Sequence, residues 1–535
     1  MSNKKLLKWS VVINLALLSL SNSYAEPTDA EAEKIRLRLQ EIEQEERAAQ
    51  LEKSGYYVER RSYGTQRETD PPRYVRQANK TWLRDYGFDD VKWLDVGFEY
   101  RTRSEIRDND FRRKGQTYDT PTLLRSRAYF AVKDILDPLR FTLELQDSRR
   151  VNSQFSSTYD TRDFNNFEPL QGYLELYFKD SILGKDSLGN NIPISARLGR
   201  QAFELVDRRL VARNEWRNTT NNFDGLRVIL GQQKNDWQVE LLALKPVQRF
   251  NDKTDQPVHA QDFYGVLGDW RKWSQYVTLQ PFYFRLKQDG ARVEYDQNGK
   301  PIELIDEGYK RQIDRDIHTG GLRAFGIVGK TGWDWDAQYI QQWGDQQRIN
   351  KDRSITKEKQ DAYAYNAELG YTFKNPWKTR LSAFYGVASG DRDPANKSNE
   401  RFERLFGFAR PWSNDDYIQM ENIEATKVHA EFEPPQFFIE KLKVDVGYNW
   451  YRLRSNTDRW NGINGSDLRD KEGNSGKDIG QEFDVRLRFP VNDYIATNIG
   501  YAHFWAGDFT KKTLNDPERK NTSNFLYVEM SFYGF

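Results

Sequence analysis

An alternation of apolar and polar residues with a period of two runs through the chain from about Trp93 to its end. The run at residues 94–103 reads LDVGFEYRTR, in which aliphatic and aromatic residues share one parity and the charged residues share the other. Because successive side chains of a β-strand point to opposite faces, such a run predicts a strand with one apolar and one polar face. Eighteen runs of this kind are present, so the pattern predicts an all-β protein.

The connections between these runs are alternately long and short. Residues 104–123, 148–170 and 389–422 form long connections, whereas residues 134–138 and 490–492 form short ones. Long loops at one end of a sheet and tight turns at the other indicate an up-and-down meander, with both termini at the tight-turn end. Outer-membrane barrels have this layout, and closure leaves no unpaired strand edge in lipid. The chain is therefore predicted to form a transmembrane up-and-down antiparallel β-barrel of about 18 strands.

The first 90 residues lack this alternation. A lysine-rich start, a mostly apolar run at residues 9–20 and the sequence SYA at 23–25 predict a secretory signal peptide at residues 1–25. Residues 26–90 combine a charge-dense helical pattern with a Pro-Pro linker. They are predicted to form a short helical periplasmic extension, either solvated or in contact with periplasmic secretion partners. Residues 91–535 are predicted to form the barrel, in the lipid of the outer membrane of a Gram-negative bacterium.

Composition restricts the function. Charged residues make up 30% of the 535 residues, yet the formal net charge is only +1, which argues against bulk nucleic-acid binding. The four histidines are scattered, cysteine is absent, and no nucleotide-binding glycine loop or metal-ligand cluster is recognisable. Spacing alone neither shows nor excludes a serine or carboxylate beside a histidine. We predict no enzymatic activity, no cofactor and no metal.

Short motifs along the barrel region resemble the alginate-export family of outer-membrane porins. LGRQ at residues 198–201 precedes FDGLR at 223–227, and ASGDRDP at 388–394 precedes LF at 405–406. The C-terminal motifs DIGQEFD, FWAGDF and FLYVE follow in that order. The resemblance covers about residues 93–535 and implies an eighteen-stranded barrel with an arginine-rich constriction. It also implies passive passage of an anionic, alginate-like polysaccharide.

Strand parity places many arginines on the inward face. The guanidinium group is planar and permanently charged, and it pairs with carboxylates in a two-pronged geometry that suits a polyuronate. Neighbouring acidic residues are expected to weaken each contact, so that the polymer moves on. The predicted pore and substrate-binding residues are Arg101, Arg103, Arg125, Arg127, Arg140, Glu144, Arg197, Arg200, Asp224, Arg227, Glu240, Arg380, Asp484, Arg486 and Arg488.

The stretch at residues 194–230 is predicted to supply the fifth and sixth strands and a long arginine-rich loop. Parity turns Arg197 and Arg227 towards the lumen and Arg200 towards the apolar side, unless the strand ends or bulges at Gly199. Arg200 and Asp224 are therefore predicted to lie near the outer rim of the constriction.

Three other interpretations remain open from the sequence. The inward charges can merely cross-brace a water-filled barrel. The protein can be a general or small-anion porin, which would share the whole architecture. It can also be a structural or adhesion barrel with a plugged lumen.

The last residues contain a conflict of parity. Phe532 continues the apolar face of the final run, whereas Tyr533 and Phe535 have the opposite parity. This predicts either a bulge near the C-terminus or a strand that is apolar on both faces.

Overall fold

The computed structural model of the chain describes residues 68–80, 87, 91–111, 117–154, 161–250, 253–290, 305–306, 309–310, 313–329, 331–350, 354–393, 395–407, 409–435, 439–460, 468–514 and 519–534. The chain divides into two compact units, residues 1–55 and 56–535, and every described residue belongs to the second. The predicted signal peptide and most of the predicted extension lie outside the described residues.

Eighteen long antiparallel strands in the described part of the chain form a closed barrel, which confirms the predicted fold and strand number. They are β1 Leu94–Asp108, β2 Thr122–Leu136, β3 Leu139–Val151, β4 Asn165–Phe178, β5 Ile194–Gln201, β6 Phe223–Gly231, β7 Trp237–Gln248, β8 Gln261–Trp270, β9 Val277–Gln288, β10 Arg315–Ile327, β11 Trp333–Ile349, β12 Ile355–Thr372, β13 Arg380–Ala388, β14 Ile423–Phe432, β15 Lys443–Arg452, β16 Asp478–Asn492, β17 Ile495–Ala506 and β18 Thr522–Gly534. Strand β1 pairs with both β2 and β18, which closes the barrel.

Two short helices and six two-residue strands accompany the barrel among the described residues. The helices are α1 Arg73–Ala78 and α2 Asp508–Leu514. The short strands are Gln256–Pro257, Ile305–Asp306, Tyr309–Lys310, Ser398–Asn399, Arg459–Trp460 and Leu468–Arg469. Within the described residues, neither helix is long and apolar enough to cross a membrane.

Burial alternates along the barrel strands as the sequence pattern predicts. In β1, Glu99, Arg101 and Arg103 are buried inside the barrel, whereas Phe98 faces outwards and is 37% exposed. Strand β18 pairs with β1 from Asn524 to Gly534 without a register shift, so Tyr533 faces the lumen and the described part of this strand has no bulge. Phe535 lies outside the described residues.

The barrel has a turn end, with the tight connections and the first residue of β1, and a loop end, with the long connections. Two long connections fold inwards: the β5–β6 loop (residues 202–222) and the β13–β14 loop (residues 389–422). Val211 and Phe406 form a parallel β-bridge between these loops. The Phe406 N–H donates to Leu210 O at 2.9 Å, and the Ala212 N–H donates to Phe406 O at 3.2 Å.

An apolar core occupies the lumen in the half nearer the loop end, here called the loop half. It combines loop residues such as Leu210, Val211 and Trp412 with wall residues such as Phe263 and Phe504. The half nearer the turn end, the turn half, instead carries charged side chains around two cavities.

Candidate functional site

Four of the predicted pore arginines hold the β5–β6 loop inside the lumen. Arg101, on β1, donates from Nη1 to Glu215 O at 2.8 Å and from Nη2 to Arg217 O at 2.9 Å. Arg127, on β2, donates to the Glu215 carboxylate at 2.5 Å and to the Thr220 hydroxyl at 2.7 Å. These side chains face the lumen as predicted, but their N–H groups donate hydrogen bonds to the β5–β6 loop.

The other two arginines of this wall complete the attachment. Arg125 donates to Glu215 O at 3.2 Å and to the Glu99 carboxylate at 2.7 Å. Arg103 donates to Trp216 O and pairs with Glu105 at 2.9 Å. Buried arginines with several fixed acceptors are held rigidly, because releasing one partner would leave a buried charge uncompensated.

Trp216 lies between two guanidinium groups. Arg103 Cζ is 3.8 Å and Arg410 Cζ 3.5 Å from the centre of its ring, and at such distances the two cations must occupy opposite faces. Tyr527 of β18 packs edge-on against the ring at 4.7 Å between centroids. The stack therefore joins the wall to both inward loops. A polar gap of about 30 Å³, bordered by Arg103, Arg107 and Trp216, lies on its loop side.

The β3–β10 cavity, named for the strands that border it, has a volume of about 700 Å³. Arg197 lies on its wall and pairs with Asp70 at 2.6 Å and Glu175 at 2.9 Å. Arg227 pairs there with Glu240 at 2.7 Å. Arg140 also lines it; this arginine pairs with Asp134 and stacks on Tyr177 at 3.5 Å.

The β14–β2 cavity occupies the opposite part of the turn half and has a volume of about 660 Å³. Its wall includes Arg486 and Arg488, which share Asp445 at 2.8 and 3.0 Å. Among the described lining residues, ten basic side chains face seven acidic ones here, and nine face six in the β3–β10 cavity. Both cavities therefore carry an excess of positive charge.

Two carboxylates outside the strands, Asp70 and Glu215, have lowered pKa values because arginines surround them. Desolvation inside the lumen opposes ionisation of Asp70, but the Arg197 and Arg227 guanidinium groups hold its pKa below its usual value. Burial acts in the same way on Glu215, and Arg127, Arg213 and Arg125 hold its pKa well below the usual range. Both carboxylates are therefore ionised at neutral pH.

Only one cluster in the described part of the chain has metal-ligand geometry, and it is bound by arginines. His429, Glu431 and Asp445 bring ligand atoms within 4.8 Å of one another. Arg380 pairs with Glu431 at 3.2 Å and Arg486 with Asp445 at 2.8 Å. A metal ion would have to displace these cations, so the cluster is better described as a salt-bridge network.

Comparison with known proteins identifies the family. A family model described as alginate export matches residues 92–523, most of the chain. The chain belongs to the alginate export family. A comparison with curated proteins finds no match.

Solved barrels share the fold of this alginate export family member. The outer membrane protein opdK from Pseudomonas aeruginosa aligns with a TM-score of 0.52 and 9% identity, over 82% of this chain and 98% of its own. OccAB1 from Acinetobacter baumannii aligns with a TM-score of 0.51 and 9% identity, over 83% and 97%. OccK3 (OpdO) from Pseudomonas aeruginosa gives 0.50 and 13%, over 84% and 98%. The family and the barrel identify an outer-membrane channel rather than an enzyme.

Two predicted pore residues of this channel lie elsewhere. Arg200 pairs with Asp224 at 2.8 Å, and both follow the outward parity of Leu198, which is 63% exposed. Gly199 has φ 133° but does not reverse the parity. Arg200 and Asp224 therefore form an ion pair on the outer surface near the loop end and do not line the lumen.

The remaining predicted residues serve as internal braces. Glu144 accepts hydrogen bonds from Arg213 at 2.6 Å and from the Tyr74 hydroxyl at 2.9 Å. Arg380 pairs with Asp334 at 2.6 Å and Glu368 at 3.0 Å. Asp484 accepts from Asn449 at 2.8 Å and from Asn414, and so anchors the β13–β14 loop.

Several residues of the site lie in the inward loops and were not predicted from the sequence, namely Arg213, Glu215, Trp216 and Arg410. Strand parity carries no information about loop side chains. One usable signal was present: the loop contains the apolar pairs Leu205-Val206 and Leu210-Val211, and all four residues are fully buried. Apolar residues in a long loop indicate that the loop packs against something.

Proposed function

We propose that this channel conducts an anionic polysaccharide of the alginate-like polyuronate class outwards across the membrane. The excess of basic side chains in both cavities carries the proposal. Most of these guanidinium groups are already paired with carboxylates, and Arg486 and Arg488 share Asp445. A passing uronate therefore meets attractive but weak sites in series, which a conduit needs in order to release its cargo.

The loop half sets a condition on this proposal. The gap beside Trp216 is about 30 Å³, room for a water molecule but not for a sugar ring. Among the described residues, passage of a polymer through this gap therefore requires the β5–β6 and β13–β14 loops to move. The same narrow gap supports a second candidate function, a small-anion channel in which the loops stay in place.

Planar-bilayer recording distinguishes the candidates. Reversal potentials in a salt gradient measure ion selectivity, and titration with a polyuronate or a neutral glucan of equal length measures block. A polysaccharide conduit is expected to be anion-selective and to be blocked by polyuronate alone. Anion selectivity without block supports the small-anion channel, and a cation-selective pore indifferent to polyuronate contradicts both.

A further inference from the structure

Residues 68–80, which the sequence assigns to a periplasmic extension, lie inside the turn half of the barrel. Glu68, Pro72 and Arg73 line both cavities, so this segment separates them. Polar contacts fasten it: Tyr74 Oη donates to Glu144, Gln77 Nε2 to Asp493 O and Asn79 Nδ2 to Asp95, at 2.9, 2.8 and 2.9 Å. The Glu68 N–H also donates to the Glu204 carboxylate of the β5–β6 loop at 2.8 Å.

The segment packs closely against the first strand. Tyr74 and Val75 of α1 form a small apolar cluster with Tyr129 and with Tyr533, the residue whose parity was in conflict. Val75 is fully buried, and a Cβ at Gly97 would lie 2.9 Å from Val75 Cα. Glycine at residue 97 is therefore needed for the segment to approach the wall this closely.

At its other end the segment presents a carboxylate to an arginine of the channel. Asp70 Oδ2 lies 2.6 Å from Arg197 Nη1, on the wall of the β3–β10 cavity. The Asp70 side chain is 54% exposed, whereas that of Arg197 is only 13% exposed. The arginine is thus built into the wall, while its carboxylate partner reaches it from the open cavity.

We propose that residues 68–79 form an internal plug whose Asp70 occupies a uronate subsite at Arg197, so that incoming polyuronate competes with Asp70 and releases the plug. This inference rests on the proposed function. The chemistry of the two ligands matches, because a uronate and an aspartate present the same carboxylate to the same guanidinium.

The energetics permit exchange. A partly exposed ion pair contributes little, and the apolar contact of the plug is confined to one turn and a half of helix. A polyuronate carries a carboxylate on every residue, so its effective concentration at the subsite stays high once one unit has entered. Polyuronate can therefore displace the Asp70 carboxylate from Arg197.

Thiol labelling tests release of the plug. The chain has no cysteine, so Val75→Cys gives one buried thiol and Asp137→Cys one exposed thiol in a turn. Polyuronate is expected to accelerate maleimide labelling at residue 75, whereas a neutral glucan of equal length has no effect. Labelling at residue 137 is expected to be independent of either glycan. Equal labelling of residue 75 with polyuronate and neutral glucan overturns the release step.

Bilayer titration tests the subsite. Asp70→Asn is expected to lower the half-blocking concentration of polyuronate about two- to fivefold, because it removes the competing carboxylate. Asp137→Asn makes the same charge change at the same end of the barrel, outside both cavities, and should leave block unchanged. If wild-type protein is blocked but Asp70→Asn is blocked equally, the subsite is wrong and the proposed function stands. If polyuronate blocks neither protein, both proposals fall.

Gly97→Ala provides a variant that leaves every charge in place. Its new methyl group would press on Val75, so the plug is expected to detach more often, and maleimide labelling of Val75→Cys in the absence of glycan is expected to be faster when Gly97→Ala is added. Gly172→Ala on β4 is the matched control, since its Cβ would meet only Leu143 Cδ1 at 3.9 Å. An unchanged labelling rate of Val75→Cys when Gly97→Ala is added contradicts the plug.

Discussion

The two halves of the lumen have opposite interiors although the same alternating strands form their walls. In the loop half, inward-facing Phe263, Phe384 and Phe504 pack against apolar loop residues and exclude water. In the turn half, Arg197, Arg227 and Arg486 surround open cavities. Strand alternation thus decides only which side chains face inwards. The apolar loops pack against apolar wall residues in the loop half, and the charged segment at residues 68–80 lies among charged wall residues in the turn half.

This difference suggests a division of labour. Tight apolar packing is bistable rather than continuously deformable, so it suits a barrier that is either closed or open. Charged pairs at a wet surface exchange partners at low cost, so they suit weak binding in series. We expect substitutions in the loop half to alter stability and conductance, and substitutions in the turn half to alter selectivity.

Trp412→Ala is expected to have the largest effect. The Trp412 side chain is 1% exposed and packs edge-on against Phe384 at 5.6 Å between ring centroids. The hydrogen bond from the Tyr451 hydroxyl goes to the Trp412 backbone carbonyl at 2.7 Å, so alanine retains it. Truncating a buried tryptophan costs about 3–5 kcal/mol. Urea unfolding of the protein in lipid should show this loss, with raised single-channel conductance. Trp273→Ala, at a 51% exposed turn position, is the control and should leave both values near wild type.

Gly407→Ala should separate the two inward loops with a smaller loss of stability. A Cβ at residue 407 would lie 1.7 Å from Arg209 O, which no side-chain rotation relieves. The loops must therefore move apart at the Val211–Phe406 bridge, and conductance is expected to rise. Gly268→Ala is the comparison, because its Cβ would meet Pro281 at an ordinary 3.5 Å. Wild-type conductance in Gly407→Ala would show that the bridge does not close the pore.

Arg227→Gln should change selectivity in the turn half without changing the loops. It removes one cation from the β3–β10 cavity and leaves Glu240 without its arginine partner. The ratio of anion to cation permeability is expected to fall about twofold, which corresponds to roughly 0.4 kcal/mol. The double variant Arg227→Glu with Glu240→Arg keeps the pair and the net charge, so its reversal potential should return towards wild type. Failure of Arg227→Gln to shift the reversal potential would place the selective region elsewhere.

The sequence predicted the wall well and the contents of the barrel poorly. The inward positions of Arg101 and Arg127 follow from alternation, which is a local property of each strand. Their partners lie far along the chain, in a loop whose path depends on tertiary packing. Glu215 is 114 residues from Arg101, and Glu215 and Thr220 are 88 and 93 residues from Arg127. Local patterns carry no record of such contacts.

The same limit explains two further differences. The contact of Val75 with Gly97 depends on a segment entering the barrel, and the alternation begins only after that segment. For Arg200 the alternation did carry the answer, because it placed this side chain on the outer face of the strand. Only the charge of Arg200 suggested a position in the lumen. Parity was the better guide there, since an arginine paired with Asp224 is tolerated on the outer face near the loop end.

The smallest expected effect concerns the pH dependence of a buried carboxyl group in the β13–β14 loop. Burial and the nearby Asp458 carboxylate raise the pKa of Asp391 in the β13–β14 loop to about 6. Between its ordinary value and that pKa, the folded loop retains a proton that the unfolded chain has lost. The stability of the loop therefore falls as the pH rises through this window, and no further loss follows above it. Hydrogen-exchange protection factors of residues 389–422, which divide out the intrinsic pH dependence of amide exchange, should be lower at pH 7 than at pH 5, and Asp391→Asn should reduce that difference. An equal difference in the variant would assign the pH dependence to another group.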